Sequence, residues 1–352
     1  MKKHLKIHVY APDIIPNDAV GNHCLGVASI FKKIGFNVSV YARNFPQDHP
    51  QIQPVEALLS SFSKKDYLYV SFSIFDPVLE KLLELPGRKI CYMHGITDPN
   101  LLKEYEPETS VLCQKGLKQL HYFYNFDKII CNSLFIAKDL IPFVKQVPIV
   151  IPPIFSSFPV FQTKANLISA QRSPKTVLLV GRIVPHKKIE DAITLLRKIY
   201  DKGLKYNLRI VGAIQNDRYA KFISERSQAL GLSQYISFEG QVDEKKLFNF
   251  YQESHAYLSM SLHEGFCVPA LEAMHFGLPV FVREGTAAEE TVGNGGVILR
   301  NTLEDQANKL IDILESPTKT TSLINKGLKR KTELLNATSD DVWINIINDL
   351  PQ

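Results

Sequence analysis

At 352 residues the chain is too long for one ordinary core and fits two, since domains typically run to ~100–200 residues. A composition of 45% hydrophobic and 22% charged residues is that of a soluble globular protein and excludes disordered, collagen-like and coiled-coil classes. The net charge of +5 is too mild for a nucleic-acid binder of this size, yet suits phosphate-bearing substrates or peripheral contact with an anionic membrane.

In chain order, a basic start runs into alternating polar and apolar residues, which is not the unbroken apolar run of a signal peptide. Strands are predicted at Leu5–Tyr10, Tyr67–Ser71, Ile90–Tyr92, Lys128–Cys131, Thr176–Val180 and Ile236–Phe238. A helix, a glycine and a short β-branched run recur at Val27–Ala42, Ile193–Gly212 and Leu271–Val282. There Gly35, Gly203 and Gly277 fit helix C-terminal positions. Strands alternating with helices predict βαβ units and doubly wound parallel sheets. The proline-rich stretch Val147–Lys175 interrupts this pattern and reads as a connector. Its most apolar part, Val147–Phe161, carries four prolines and is too short to span a bilayer. The expected organisation is a first Rossmann-like domain over 1–155 joined by 338–352, a linker over 156–175, and a second such domain over 176–337. The tail Ser339–Leu350, carrying Trp343, reads as an amphipathic helix. Cys24, Cys91, Cys113, Cys131 and Cys267 are sparse, odd in number and never spaced CxxC, so neither a zinc site nor a disulfide framework is expected.

Two clusters carry chemistry. In Val177–Lys188 (VLLVGRIVPHKK) a strand ends at Gly181, and Arg182 and Lys187 follow before a helix starting near Ile189. A donor fork and a point charge beside a helix N-terminus suit a diphosphate, although two solvated cations would read the same. In Ser261–Val282, Glu264 lies in a loop, Pro269 in the first turn of a helix, and Glu272 just inside it. The glutamates are too far apart for a paired acid/base dyad. They are placed to accept hydrogen bonds at two points of an extended ligand, with the Gly265 and Phe266 backbone between them. The plainer alternative is a solvated loop charge and a glutamate that complements a helix dipole.

Taken together, GRxxxxK followed by EGFxxPxLEAMxxGxPV resembles the nucleotide-sugar-binding half of the family 4 glycosyltransferases. The likeness covers about 120 residues of the second half, including EETVGNGG with Glu289 where the family carries proline. This resemblance implies a GT-B fold: two Rossmann-like domains facing a central cleft, with a C-terminal helix crossing back to the first. It implies that Arg182 and Lys187 grip a donor diphosphate after Gly181, that Glu272 holds the ribose, and that Glu264 faces the transferred sugar. The Gly265, Phe266 and Cys267 backbone would lie near sugar and phosphate, and Gln241 and Val242 near the base. In the first half, Gly21 of PNDAVGNHCLG matches a glycine-rich loop, and His94 of CYMHG matches a histidine facing the reacting sugar. His23 is a weaker candidate. Asn132 and Ser133 line a strand end or cap the next helix, the cap being preferred.

The resemblance further implies transfer with retention, the departing phosphate taking the acceptor's proton. With no Asp-x-Asp pair, no metal site is expected, and charge on the leaving group falls to Arg182, Lys187 and helix-terminal N–H groups. The substrates expected are a UDP- or GDP-linked sugar, with no further cofactor, and a glycan or lipid-linked acceptor in polysaccharide or cell-envelope synthesis. Nucleic acid is not an expected partner, and the expected location is cytoplasmic, at most at the inner face of the membrane. Competing readings are a non-catalytic nucleotide- or glycan-binding protein on the same scaffold, a GT-B nucleotide-sugar epimerase, and an inverting transferase. A dehydrogenase is excluded because no GxGxxG follows any predicted strand.

Overall fold

Alternating β-branched strands and amphipathic helices form two wholly parallel sheets in the computed structural model, which describes residues 5–15, 19–155, 158–163 and 174–348. The first sheet contains β1 (Lys6–Asp13), β2 (Asn37–Asn44), β3 (Ile52–Pro54), β4 (Tyr67–Phe72), β5 (Arg88–Met93), β6 (Lys128–Cys131) and β7 (Ile149–Val150). Their order across the sheet is β3-β2-β1-β4-β5-β6-β7. The second contains β8 (Lys175–Val180), β9 (Tyr206–Val211), β10 (Ile236–Phe238), β11 (Ala256–Ser259), β12 (Val280–Arg283) and β13 (Val297–Leu299), in the order β10-β9-β8-β11-β12-β13. Both orders reverse once, between β1 and β4 and between β8 and β11. That reversal opens a crevice at the carboxyl ends of those strands, where ligands of such sheets bind.

Each sheet has its own core. Ile7, Val9, Ile90 and Ile130 are fully buried in the first, and Leu178, Ile193, Ile210 and Phe281 in the second, as expected of parallel strands covered on both faces. Gly35, Gly203 and Gly277 all take positive φ after their helices, with values of 104°, 80° and 72°.

The chain divides into two compact units. One comprises residues up to Ile96, Val111–Phe158 and the stretch from Leu334; the other comprises Thr97–Ser110 and Pro159–Glu333. The proline-rich stretch is more ordered at its start than its composition suggests. Ile149 and Val150 pair with Ile130 and Cys131 as the last strand of the first sheet, and Ile151, Ile154 and Phe155 are buried behind it. Most of the linker, residues 16–18 and Leu350 lie outside the described residues. The C-terminal helix Asp340–Asn348 packs on the first unit. Trp343, 1% exposed, meets Phe31, Tyr69 and Tyr92 at ring-centroid distances of 6.0, 6.2 and 6.3 Å.

Candidate functional site

In the second unit, the loops after β8 and β11 flank the reversal of strand order and bring the two sequence clusters together. Lys187, in a single 3-10 turn over Pro185–Lys187, places its Nζ 2.7 Å from Glu264 Oε1. Both side chains are largely buried, 17% and 11% exposed, so the pair is held rather than solvated. One backbone bond fixes the two loops to one another, Leu262 N donating to His186 O at 2.8 Å, and Ala287 N, after β12, donates to Glu264 O at 3.3 Å.

Arg182 is more open and donates through Nη1 to Gln215 Oε1 at 3.0 Å. Gly181, at φ 156°, bonds through its N–H to Val211 O. A Cβ on the neighbouring Gly212 would fall 1.9 Å from Gly181 O, so β8 and β9 end in backbones too close for any side chain at Gly212. Gly212 N in turn donates to Gly240 O at 2.9 Å. This ties the loop holding Gln241 and Val242 to the same strand ends, ahead of helix Glu244–Glu253, which Asp243 caps by accepting from Lys246 N.

After Glu264, Cys267 adopts a left-handed conformation with φ 71° and starts the helix Val268–His275, with Pro269 in its first turn. Phe266 and Cys267 are buried, and the Thr291 hydroxyl holds Phe266 by bonding its carbonyl. Glu272 accepts a 2.7 Å hydrogen bond from the Tyr251 hydroxyl. Burial pushes its carboxyl up to about 7, against the opposing pull of that hydrogen bond. The two glutamates thus differ: Glu264 is charge-paired, and Glu272 is held by a neutral donor near its titration point.

Several contributors carry no motif. Gln215 lies in the loop between β9 and the helix Asp217–Ala229, and Tyr251 takes an ordinary buried position of helix Glu244–Glu253. Glu106 reaches this unit from the first half of the sequence, on the segment Thr97–Ser110. That segment is anchored where Asn216 Nδ2 bonds Tyr105 O and where Tyr105 packs on Tyr219 at 5.2 Å. Burial raises the Glu106 carboxyl, Arg182 partly offsets that rise, and Glu106 Oε1 is buried without a hydrogen-bond partner. His186 is buried with its Nδ1 unpartnered, and burial holds it neutral.

The first unit carries its own polar chain at the carboxyl ends of β4, β5 and β6. His94 Nε2 lies 2.7 Å from Ser71 Oγ, and Asn132 Nδ2 donates to His94 O at 2.9 Å. Burial lowers His94 to about 3, so its ring is neutral near pH 7. Ser133 caps the following helix by accepting from Ile136 N. His23, fully buried, accepts from Ile154 N at Nδ1, which leaves its Nε2 to donate to the Tyr69 hydroxyl at 2.8 Å. That is a structural role. Gly21 lies inside helix Ala19–Ile34, where a Cβ would come within 3.1 Å of Ile15 O.

Residues 163–330 match the family Glycosyl transferases group 1. The chain is 29% identical to the O-antigen chain mannosyltransferase RfbU of Salmonella typhimurium over 134 residues, 38% of this chain and 36% of that protein. It is 27% identical over 146 residues to the GDP-mannose:cellobiosyl-diphosphopolyprenol alpha-mannosyltransferase of Xanthomonas oryzae, covering 39% and 36% of the two chains. The matched stretches span well under half the length of these relatives. In fold, it superposes on the sucrose-phosphate synthase of Thermosynechococcus elongatus with a TM-score of 0.74 at 17% identity, over 98% of both chains. Residues 163–330, just under half of the chain, thus match the glycosyl transferases group 1, and the chain has the two-domain GT-B fold.

Proposed function

We propose that the protein transfers a hexosyl group, with mannosyl the first candidate, from a nucleoside-diphosphate sugar to a hydroxyl of a glycan or lipid-linked acceptor in envelope polysaccharide synthesis. The observation that carries this reading is the Lys187–Glu264 pair beside Gly181 and Arg182, at the reversal of strand order in the second sheet. A cation at hydrogen-bond distance from a carboxylate can exchange toward a diphosphate oxygen, which frees the carboxylate for a sugar hydroxyl. Mannosyl is favoured by the two mannosyltransferase relatives.

In the proposed step the bond from the anomeric carbon to the diphosphate oxygen breaks as the acceptor oxygen bonds the same carbon from the same face. The acceptor's proton passes to the departing phosphate oxygen, and configuration is retained. Arg182, Lys187 and the amino end of helix Val268–His275 stabilise the charge that builds on the leaving group, with no metal required. Glu272 binds the ribose, Gln241 and Val242 border the base, and the neutral His94 donates to or accepts from the sugar without carrying charge. The test is release of nucleoside diphosphate from GDP-mannose and from UDP-linked sugars, with and without a polyprenyl-diphosphate-linked acceptor and with EDTA. Acceptor-stimulated release that survives EDTA supports the reading. Binding without release would favour a non-catalytic protein on this scaffold, and release abolished by EDTA would refute metal independence.

A further inference from the structure

Shortly after His94 the chain leaves the first unit, and Thr97–Ser110 packs as part of the second before the chain returns at Val111. This excursion is held against the start of the helix Asp217–Ala229. Asn216 Nδ2 bonds Tyr105 O, and Arg218 Nη1 donates to Glu104 O at 3.3 Å. The Tyr105 ring lies 5.3 Å from the Arg218 guanidinium carbon and 5.2 Å from the Tyr219 ring. Glu106, next along, has both backbone groups engaged within the excursion. Its N–H donates to Leu102 O at 2.7 Å, and its carbonyl accepts from Ser110 N at 2.9 Å.

Gln215 links this excursion to the loop after β8. Its Oε1 accepts from Arg182 Nη1 at 3.0 Å, while the adjacent Asn216 holds Tyr105, the residue before Glu106. Ile183 N donates to Ala213 O at 2.9 Å, which fastens the loops after β8 and β9 to one another. Glu106 is thereby fixed by its backbone in the neighbourhood of Arg182, whose charge opposes the rise that burial imposes on its carboxyl. Yet Glu106 Oε1 is buried without a hydrogen-bond partner, and Arg182 is bonded to Gln215 instead.

A buried carboxylate oxygen without a donor is costly, so this position calls for a donor from outside the chain. A diphosphate oxygen cannot serve, because it only accepts and carries like charge. A hydroxyl can, since it donates to a carboxylate and accepts from a guanidinium at the same time. We propose that Glu106 accepts a hydroxyl of the transferred sugar beside Arg182, and so helps to select the donor sugar. The inference rests on the reading of Arg182 as a diphosphate ligand, which sets the sugar attached to that diphosphate next to it. An acceptor hydroxyl is disfavoured because the donor's own sugar already occupies this neighbourhood. Glu106 and Glu264 then hold the sugar from segments far apart in the sequence, one on each side of the diphosphate cations.

The experiment compares kcat/KM for the donor that the wild type turns over, GDP-mannose or UDP-glucose, with that for its singly deoxygenated analogues. Removing the contacted hydroxyl is expected to cost the wild type ~10–100-fold, as for a hydrogen bond to a charged group. Glu106→Ala is expected to lose as much on the parent donor and nothing further on that one analogue. Glu106→Gln, which keeps the shape, should show the same pattern with a smaller loss. Calorimetric affinity of both variants for the bare nucleoside diphosphate should be unchanged, which a disordered Arg182 loop would not allow. Variants that discriminate among the analogues as the wild type does would overturn the inference, as would a wild type indifferent to every analogue. So would a change confined to the KM of the acceptor, or equal losses of affinity for donor and bare nucleotide. A wild type that releases nucleotide from neither donor refutes the parent reading and this inference with it, whereas turnover with unaltered discrimination refutes this inference alone.

Discussion

Lys187 Nζ and Glu264 Oε1 stand 2.7 Å apart, joined across 77 positions of sequence, and each is the other's principal charge partner in a largely buried setting. Removing one member of such a pair strands the other, whereas removing both does not. Lys187→Ala is therefore expected to cost about 3 kcal/mol of stability in the second unit. Lys187→Ala combined with Glu264→Gln should recover most of that loss without recovering transfer. Denaturant unfolding beside a transfer assay on the three variants checks this; a double variant no more stable than the single would contradict it.

Glu272 supplies a pH dependence. Its folded carboxyl is raised to about 7 by burial, well above the ordinary unfolded value of ~4.3. The protonated form is therefore favoured on folding. The associated stability is full below the unfolded value and is lost as pH rises through about 7. Glu272→Gln should flatten this decline. If the carboxylate accepts ribose hydroxyls, nucleoside diphosphate affinity of the wild type should rise as pH increases through 7 and stay level in the glutamine variant. Calorimetric titration at pH 6 and pH 8 reads both outcomes.

The strand ends offer a backbone test. Gly203 and Gly212 both have positive φ, yet a Cβ at Gly203 meets nothing within 4 Å, while at Gly212 it meets Gly181 O at 1.9 Å. Gly203→Ala should cost only the ~1–2 kcal/mol of a left-handed alanine. Gly212→Ala should cost several-fold more and disorder the Arg182 loop, visible as loss of nucleotide binding in whatever protein remains folded.

Trp343 joins the tail to the first sheet's core. Truncating so large a buried side chain costs ~3–5 kcal/mol, and Trp343→Ala should destabilise the first unit accordingly. Its Nε1 is buried without a partner, so Trp343→Phe removes an unsatisfied donor along with the lost area and should be much milder. Thermal unfolding of the two variants separates these terms; equal losses would contradict the packing account.

Much of this architecture is legible from residue pattern. The βαβ rhythm, the glycines that end helices and the start of helix Ile189–Asp201 follow from local rules. Short or edge strands such as β3, β7 and β13 do not, because two or three residues carry no periodicity and are recruited by their neighbours in the sheet. Within the site, Arg182, Lys187, Glu264 and Glu272 are visible because charged residues beside glycine and proline stand out. Gln215 and Tyr251 are invisible because their function lies in a partner far along the chain. Glu106 is the extreme case: only tertiary packing of Thr97–Ser110 brings it under the influence of Arg182.

The measurement that bears most directly on the central claim compares nucleoside diphosphate affinity with sugar transfer in Glu264→Gln. Because Glu264 is assigned to the sugar and the reacting centre, its loss should leave affinity within about twofold, or tighten it as Lys187 is released toward the diphosphate. Transfer should fall by ~10²–10³, as for loss of one strong charge-stabilising group. A variant that transfers at the wild-type rate, or one that loses nucleotide binding in step with transfer, would contradict the assignment.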